Sequence, residues 1–164
     1  MSLFSPFHLK LIVSLVKNEV RFIVVGGFAV IYYGVSRGTG DLDLLVEPTR
    51  SNGERVLKAF RELGLSFEDL DASDFENAIF LAFGFEPDAV DVLTFTPGID
   101  YATAYARANQ FSVSPEIKVK IIHIDDLIAN KTSLNRQGAK ALLDQYDVQE
   151  LVRIKNQKSE NRNS

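Results

Sequence analysis

Residues 41–46 read Asp-Leu-Asp-Leu-Leu-Val, and this short run constrains the fold more than any other part of the chain. Carboxylates and leucines alternate at a period of two, the period of a β-strand. Asp41 and Asp43 therefore share one face, with Cα atoms about 6.6 Å apart, while Leu42 and Leu44 face a core on the other side. Two carboxylates on one strand face repel each other and lose hydration if partly covered. A cation between them removes both costs, and hard oxygen donors of this kind suit Mg²⁺. The plainer alternative is a half-exposed strand whose acidic face is simply solvated.

The rest of the chain supplies a sheet for this strand. Ser5-Pro6 reads as an N-cap and first helical residue, opening a helix to about Asn18. Residues 21–25 are a β-rich run ending at Gly26-Gly27, and residues 28–33 form a short apolar helical turn closed by Gly34. A polar loop follows over residues 36–40. Pro48 stops the acidic strand, and Ser51-x-x-Glu54 reads as a capping box for a helix that ends at Gly64. After an acidic connector over residues 68–76, residues 79–83 and 89–95 read as a hairpin joined through Gly84 and Pro87. A short helix over 101–108, a strand over 117–122, a helix capped by Asp125 and a last helix over about 137–152 complete the order. The expected fold class is α/β or α+β, one domain over residues 1–152 with a mixed sheet flanked by helices. Residues 155–164 contain no apolar side chain, so residues 153–164 are expected to be a disordered polar tail.

Composition narrows the function. The 164 residues include no cysteine, which excludes disulfides, thiolate metal sites and a cysteine nucleophile. The net charge of −4 argues against a general nucleic-acid coat. That charge is unevenly spread: residues 1–117 hold 9 basic and 16 acidic side chains, residues 118–164 hold 9 basic and 6 acidic. The segment from Arg153 onward alone supplies the C-terminal surplus of +3, so the preceding helices are neutral overall. No secretory signal is read at the N-terminus, and the apolar stretch over residues 22–35 is broken by three glycines and too short to span a bilayer. A cytoplasmic protein without a membrane partner is expected.

Two further features bear on the acidic strand. Asp91 stands between Val90 and Val92 in an otherwise apolar strand, where a carboxylate needs a partner, a metal or an exposed edge. If its strand lies beside residues 41–46, three carboxylates converge, a geometry that can hold two divalent ions about 3.5–4 Å apart. If it is an edge strand, Asp91 faces water. Gly26-Gly27 turns a strand into a helix and permits close backbone approach to a ligand, although such a pair is also an ordinary tight turn.

Together, Gly26-Gly27, Asp41-Leu42-Asp43 and Asp91 resemble the signature of the nucleotidyltransferase superfamily with the DNA polymerase β-like fold. Residues 24–46, including Arg37-Gly38-Thr39-Gly40, are similar to small stand-alone prokaryotic members related to AbiEii-type toxins. The likeness extends through residues 89–94, Asp125, Lys131, Arg136, Lys140 and Asp144, and covers residues 20 to 152. One departure is that Lys140 is followed by Ala141 where relatives carry Asp. The resemblance implies two Mg²⁺ ions held by Asp41, Asp43 and Asp91. It implies transfer of a nucleoside monophosphate from a nucleoside triphosphate to a hydroxyl on RNA (tRNA among them), a protein or a small molecule, with release of pyrophosphate. Gly26, Gly27, Arg37 and Thr39 would then serve the phosphates, joined by Lys131, Arg136 and Lys140 from the C-terminal helices. An antitoxin protein is an implied partner. The alternative the same resemblance allows is a non-catalytic binding or regulatory protein on this fold. His8 and His123 are expected to be structural or surface residues.

Overall fold

The computed structural model describes residues 2–164. Ser5 caps the first helix, α1 (Pro6–Lys17), by accepting a hydrogen bond from the His8 amide, as the Ser-Pro pair predicts. The chain then forms β1 (Phe22–Val25), with all four residues buried, and turns through Gly26-Gly27 into the seven-residue α2 (Gly26–Tyr32). β2 (Asp41–Val46) keeps the expected alternation: Leu42 and Leu44 are fully buried, while Asp41 and Asp43 remain partly exposed. α3 (Arg50–Glu62) leads through a 3₁₀ turn (Ala72–Glu76) to the hairpin of β3 (Phe80–Phe83) and β4 (Ala89–Leu93). α4 (Tyr101–Arg107), β5 (Asn109–Ser112), β6 (Lys118–Ile121), α5 (Ile124–Ser133) and α6 (Ala139–Arg162) complete the chain.

The strands form one six-stranded mixed sheet in the order β3-β4-β2-β1-β6-β5, flanked by helices, so the mixed α/β class is as the sequence predicts. β1 is antiparallel to β2 and parallel to β6, and β2 is parallel to β4. The core around the central strands includes Leu11, Ile12 and Leu15 of α1, Val56, Ala59 and Phe60 of α3, and Leu127 of α5. α1 and α3 are tied by the Ser14 hydroxyl, which donates to the Ala59 carbonyl at 2.9 Å. His8 is a core residue whose Nε2 is 3.0 Å from the Ala89 carbonyl, which anchors α1 to the start of β4.

Several boundaries depart from the sequence reading for local reasons. α3 is capped by Thr49, whose side chain accepts from the Asn52 amide; Ser51 is already inside the helix, so the Ser51–Glu54 pair is not its capping box. α5 is capped by His123, whose Nδ1 accepts from the Asp125 amide at 3.1 Å, so Asp125 is a first-turn residue rather than the cap. β5 has no counterpart in the sequence reading, because Asn-Gln-Phe-Ser offers a single apolar residue and no period to detect. The largest departure is α6. The tail over residues 153–164 is not a separate segment: the helix runs on to Arg162. Leu151 and Ile154 are buried, Lys155 pairs with Asp125 at 2.5 Å, and Lys158 sits 6.0 Å from the Tyr33 ring centre, so the polar end is held against the domain. Among the described residues no helix is long and apolar enough to cross a membrane.

Candidate functional site

The register decides the question that Asp91 raised. β4 is an interior strand, between β3 and β2, and Asp91 stands directly opposite Asp43 in the parallel β2–β4 ladder. Asp41 is two residues earlier on the same face of β2, opposite Ala89. The backbone thus brings the three aspartates to one partly exposed sheet face. Their electrostatics follow. Burial pushes the Asp43 carboxyl up to about 7, and the charges of Asp91 and Asp41 push it the same way, against the pull of Lys131. Asp91 is raised as well, first by burial and then by Asp41, while a hydrogen bond with Asp43 and the charge of Lys140 oppose the rise. Facing carboxyls of this kind share a proton, because two like charges at such range cannot both ionise cheaply.

The role of Gly26-Gly27 is set by this acid face. A Cβ on Gly26 would lie 1.9 Å from Oδ2 of Asp43, and the residue has φ +66°, a conformation that side chains disfavour. A Cβ on Gly27 would lie 2.7 Å from Thr39 Oγ1 and 3.1 Å from Arg37 Nη2. The two glycines therefore make room for Asp43 and for the loop that precedes it. Thr39 in turn reaches the Asp41 carbonyl with its hydroxyl at 3.4 Å.

The expected phosphate-binding cations divide into two groups. Arg37, Lys131 and Arg136 have protein partners. Lys131 is buried, with Nζ 3.1 Å from both Asp144 Oδ1 and Asp147 Oδ2. Arg37 Nε lies 2.9 Å from Asp147 Oδ1, and its Nη2 donates to Oδ2 at 3.1 Å. Arg136 holds Asp144 with two donors, Nε to Oδ2 at 2.7 Å and Nη2 to Oδ1. Burial disfavours ionised Asp144, but the Arg136 hydrogen bond and the Lys131 charge outweigh it, so its carboxyl stays below the usual carboxylate range. Three cations against two carboxylates leave the cluster positive, and it lies close enough to Asp43 for Lys131 and Arg136 to interact with that carboxyl. Lys140 is the exception: it is exposed, forms no ion pair among the described residues, and its charge acts on Asp91.

Asp147 is the residue that the sequence reading missed. It is fully buried, and it fixes Arg37, and so the loop beside Gly27, to α6. The signal was present: Asp144 and Asp147 are three apart on one helix face, where two buried acids require cations. The acid face itself is less complete than three converging ligands would make it. Among the described residues, no group of three or more His, Cys, Asp or Glu side chains is gathered as a metal-binding set. What is formed is the Asp43–Asp91 pair, with Asp41 alongside. All donors are carboxylate oxygens, and a divalent cation relieves the like-charge repulsion between them, so the residues fit Mg²⁺.

No family model matches this sequence, and no curated protein is significantly similar to it.

Proposed function

We propose that this chain is a Mg²⁺-dependent nucleotidyltransferase with the polymerase β-like fold, acting on a nucleoside triphosphate and a hydroxyl acceptor. The observation that supports it best is the Asp43–Asp91 pair: two like-charged side chains in register on interior strands, with a glycine at position 26 that leaves room for one of them. Structural side chains do not repay the cost of such a pair, whereas a metal site does.

Asp41, Asp43 and Asp91 would hold the Mg²⁺. When bound, the cation supplies charge neutralisation for the triphosphate and for the oxygens that enter and leave phosphorus. The chain's residues do the rest. Asp91 accepts the proton of the acceptor hydroxyl as its oxygen bonds to the α-phosphorus and the bond to pyrophosphate breaks. Lys140, free of ion pairs beside Asp91, meets the negative charge of the phosphates. Arg37, Lys131 and Arg136 act at one remove, holding the Arg37–Thr39 loop and α6 in place through Asp144 and Asp147. The acceptor class spans RNA, protein and small-molecule hydroxyls.

A non-catalytic binding protein, such as a toxin–antitoxin component with a protein partner, is the second reading. It is favoured by the pairing of Arg37, Lys131 and Arg136 with Asp144 and Asp147, and by Ala141. Incubation with each α-labelled nucleoside triphosphate, Mg²⁺ and total RNA or cell extract separates the two. The enzyme labels an acceptor and the Asp41→Ala, Asp43→Ala double variant does not. Equal labelling by both proteins, or none by either, refutes the assignment.

A further inference from the structure

On one side the sheet ends at β3, and the backbone of that edge is open. Ile79 and Thr94 are bonded across the hairpin: the Ile79 carbonyl accepts from the Thr94 amide at 3.3 Å, and the Ile79 amide donates to the Thr94 hydroxyl oxygen at 2.9 Å. Backbone direction alternates along an antiparallel strand. Leu81 and Phe83 therefore also point to β4, and the amides and carbonyls of Phe80 and Ala82 point away from it. Both residues are exposed. Edge strands are ordinarily guarded by a lysine, a proline or a bulge, and Phe-Leu-Ala-Phe in unbroken register has none of these. Phe80 is 68% exposed, and Phe85, two residues past the strand, is 89% exposed. The opposite edge differs: β5 packs its one large ring, Phe111, against Phe4 and Tyr32.

The charge around this edge is of one sign. Between Arg61 and Arg107 the chain has ten acidic side chains and no lysine, arginine or histidine. Among the described residues none of the ten forms an ion pair. Glu76 precedes β3, Glu86 and Asp88 lie in the turn to β4, and Asp91 stands in register with Ala82. We propose that the β3 edge binds an extended, arginine- or lysine-rich segment of a partner protein, which joins the sheet as a seventh strand. Such a strand lies two spacings, about 9.6 Å, from β4. A long cationic side chain beside the small Ala82 reaches toward Asp91, and one beside Phe80 lies on its ring. On the other face the added strand meets Leu81 and Phe83, which pack against the core, and takes apolar residues there. Charge selects among the occupants. A nucleic acid would bring phosphates to a surface without a cation, and a second copy joined edge to edge would bring the acids of one β3 hairpin against those of the other. This surface does not depend on the nucleotidyltransferase reading.

The test titrates the whole protein with the acetylated and amidated peptide Arg-Val-Arg-Val-Arg-Val-Arg, followed by backbone amide NMR and hydrogen exchange. The Phe80 and Ala82 amides should exchange freely in the protein alone, and the peptide should shift and protect them. The same peptide with glutamate in place of arginine should not bind. A peptide N-methylated at its arginines keeps its charge and loses the donors that face β3. It should bind about 5- to 150-fold more weakly, the worth of two backbone hydrogen bonds. Phe80→Ala should weaken binding of the parent peptide about 2- to 5-fold, the worth of one exposed cation–π contact. The proposal is overturned if the arginine peptide leaves these two amides unmoved, or if the glutamate peptide or an oligothymidylate protects them as well. It is also overturned if neither N-methylation nor Phe80→Ala weakens binding, or if both amides are already protected without peptide in a dimer seen by sedimentation.

Discussion

Asp43→Asn should stabilise the cation-free protein, and the gain should grow with pH. In the unfolded chain this carboxyl titrates near 3.8, and in the folded chain burial and Asp91 hold it near 7. Between those values the folded state binds the proton and the unfolded state does not. Stability therefore falls as pH rises through the window. A displacement of about 3 units at about 1.4 kcal/mol per unit sets a ceiling of about 4 kcal/mol lost by pH 8. The amide keeps the shape of a protonated carboxyl and has no proton to lose, so the variant escapes this loss. Urea denaturation in a chelating buffer at pH 4, 5, 6, 7 and 8 measures it. The two proteins should be similar at pH 4, and the variant should be more stable by up to about 4 kcal/mol at pH 8. Millimolar Mg²⁺ should restore the wild type at pH 8 and leave the variant much less affected. Parallel stability curves across the whole range would refute the reasoning, since they would mean that burial and Asp91 do not raise the Asp43 carboxyl.

Gly26→Ala should cost about 1–3 kcal/mol from its positive φ alone, and more from the overlap with Asp43. Adding Asp43→Ala should recover the overlap part, which a double-mutant cycle by thermal or urea unfolding measures. Lys131→Met should destabilise the protein by about 3–5 kcal/mol, because Asp144 and Asp147 keep their burial and lose a shared cation. Truncation after Val152 should lower the melting temperature and the helical circular dichroism signal together, since it removes the buried Ile154 and the Lys155–Asp125 pair. An unchanged melting temperature would show that the end of α6 does not dock.

How far the site was legible depends on the distance over which its signals act. The period of two in residues 41–46 fixed the acid face, because alternation is a property of a single strand. That Asp91 would face Asp43 was readable only as a conditional, since strand order is set by packing across the sheet and leaves no mark in either segment. Gly26 was legible as a corner residue, but its reason, the Asp43 carboxyl, comes from a neighbouring strand. The phosphate role of Lys131 and Arg136 is implied by the resemblance alone; their pairing with the buried Asp144 and Asp147 depends on how α5, α6 and the loop before β2 pack together, which no single segment records. The polar end of α6 has no amphipathic pattern of its own; it is helical because Leu151 and Ile154 seat it on the domain.

The most direct test of nucleotidyl transfer through the acid face compares labels on the α- and γ-phosphates of the triphosphate, using wild type and Asp91→Asn. The account predicts that only the α-label reaches the acceptor, that it does so only with Mg²⁺, and that Asp91→Asn abolishes transfer while remaining folded. Transfer of the γ-label, or α-label transfer undiminished in Asp91→Asn, would contradict it.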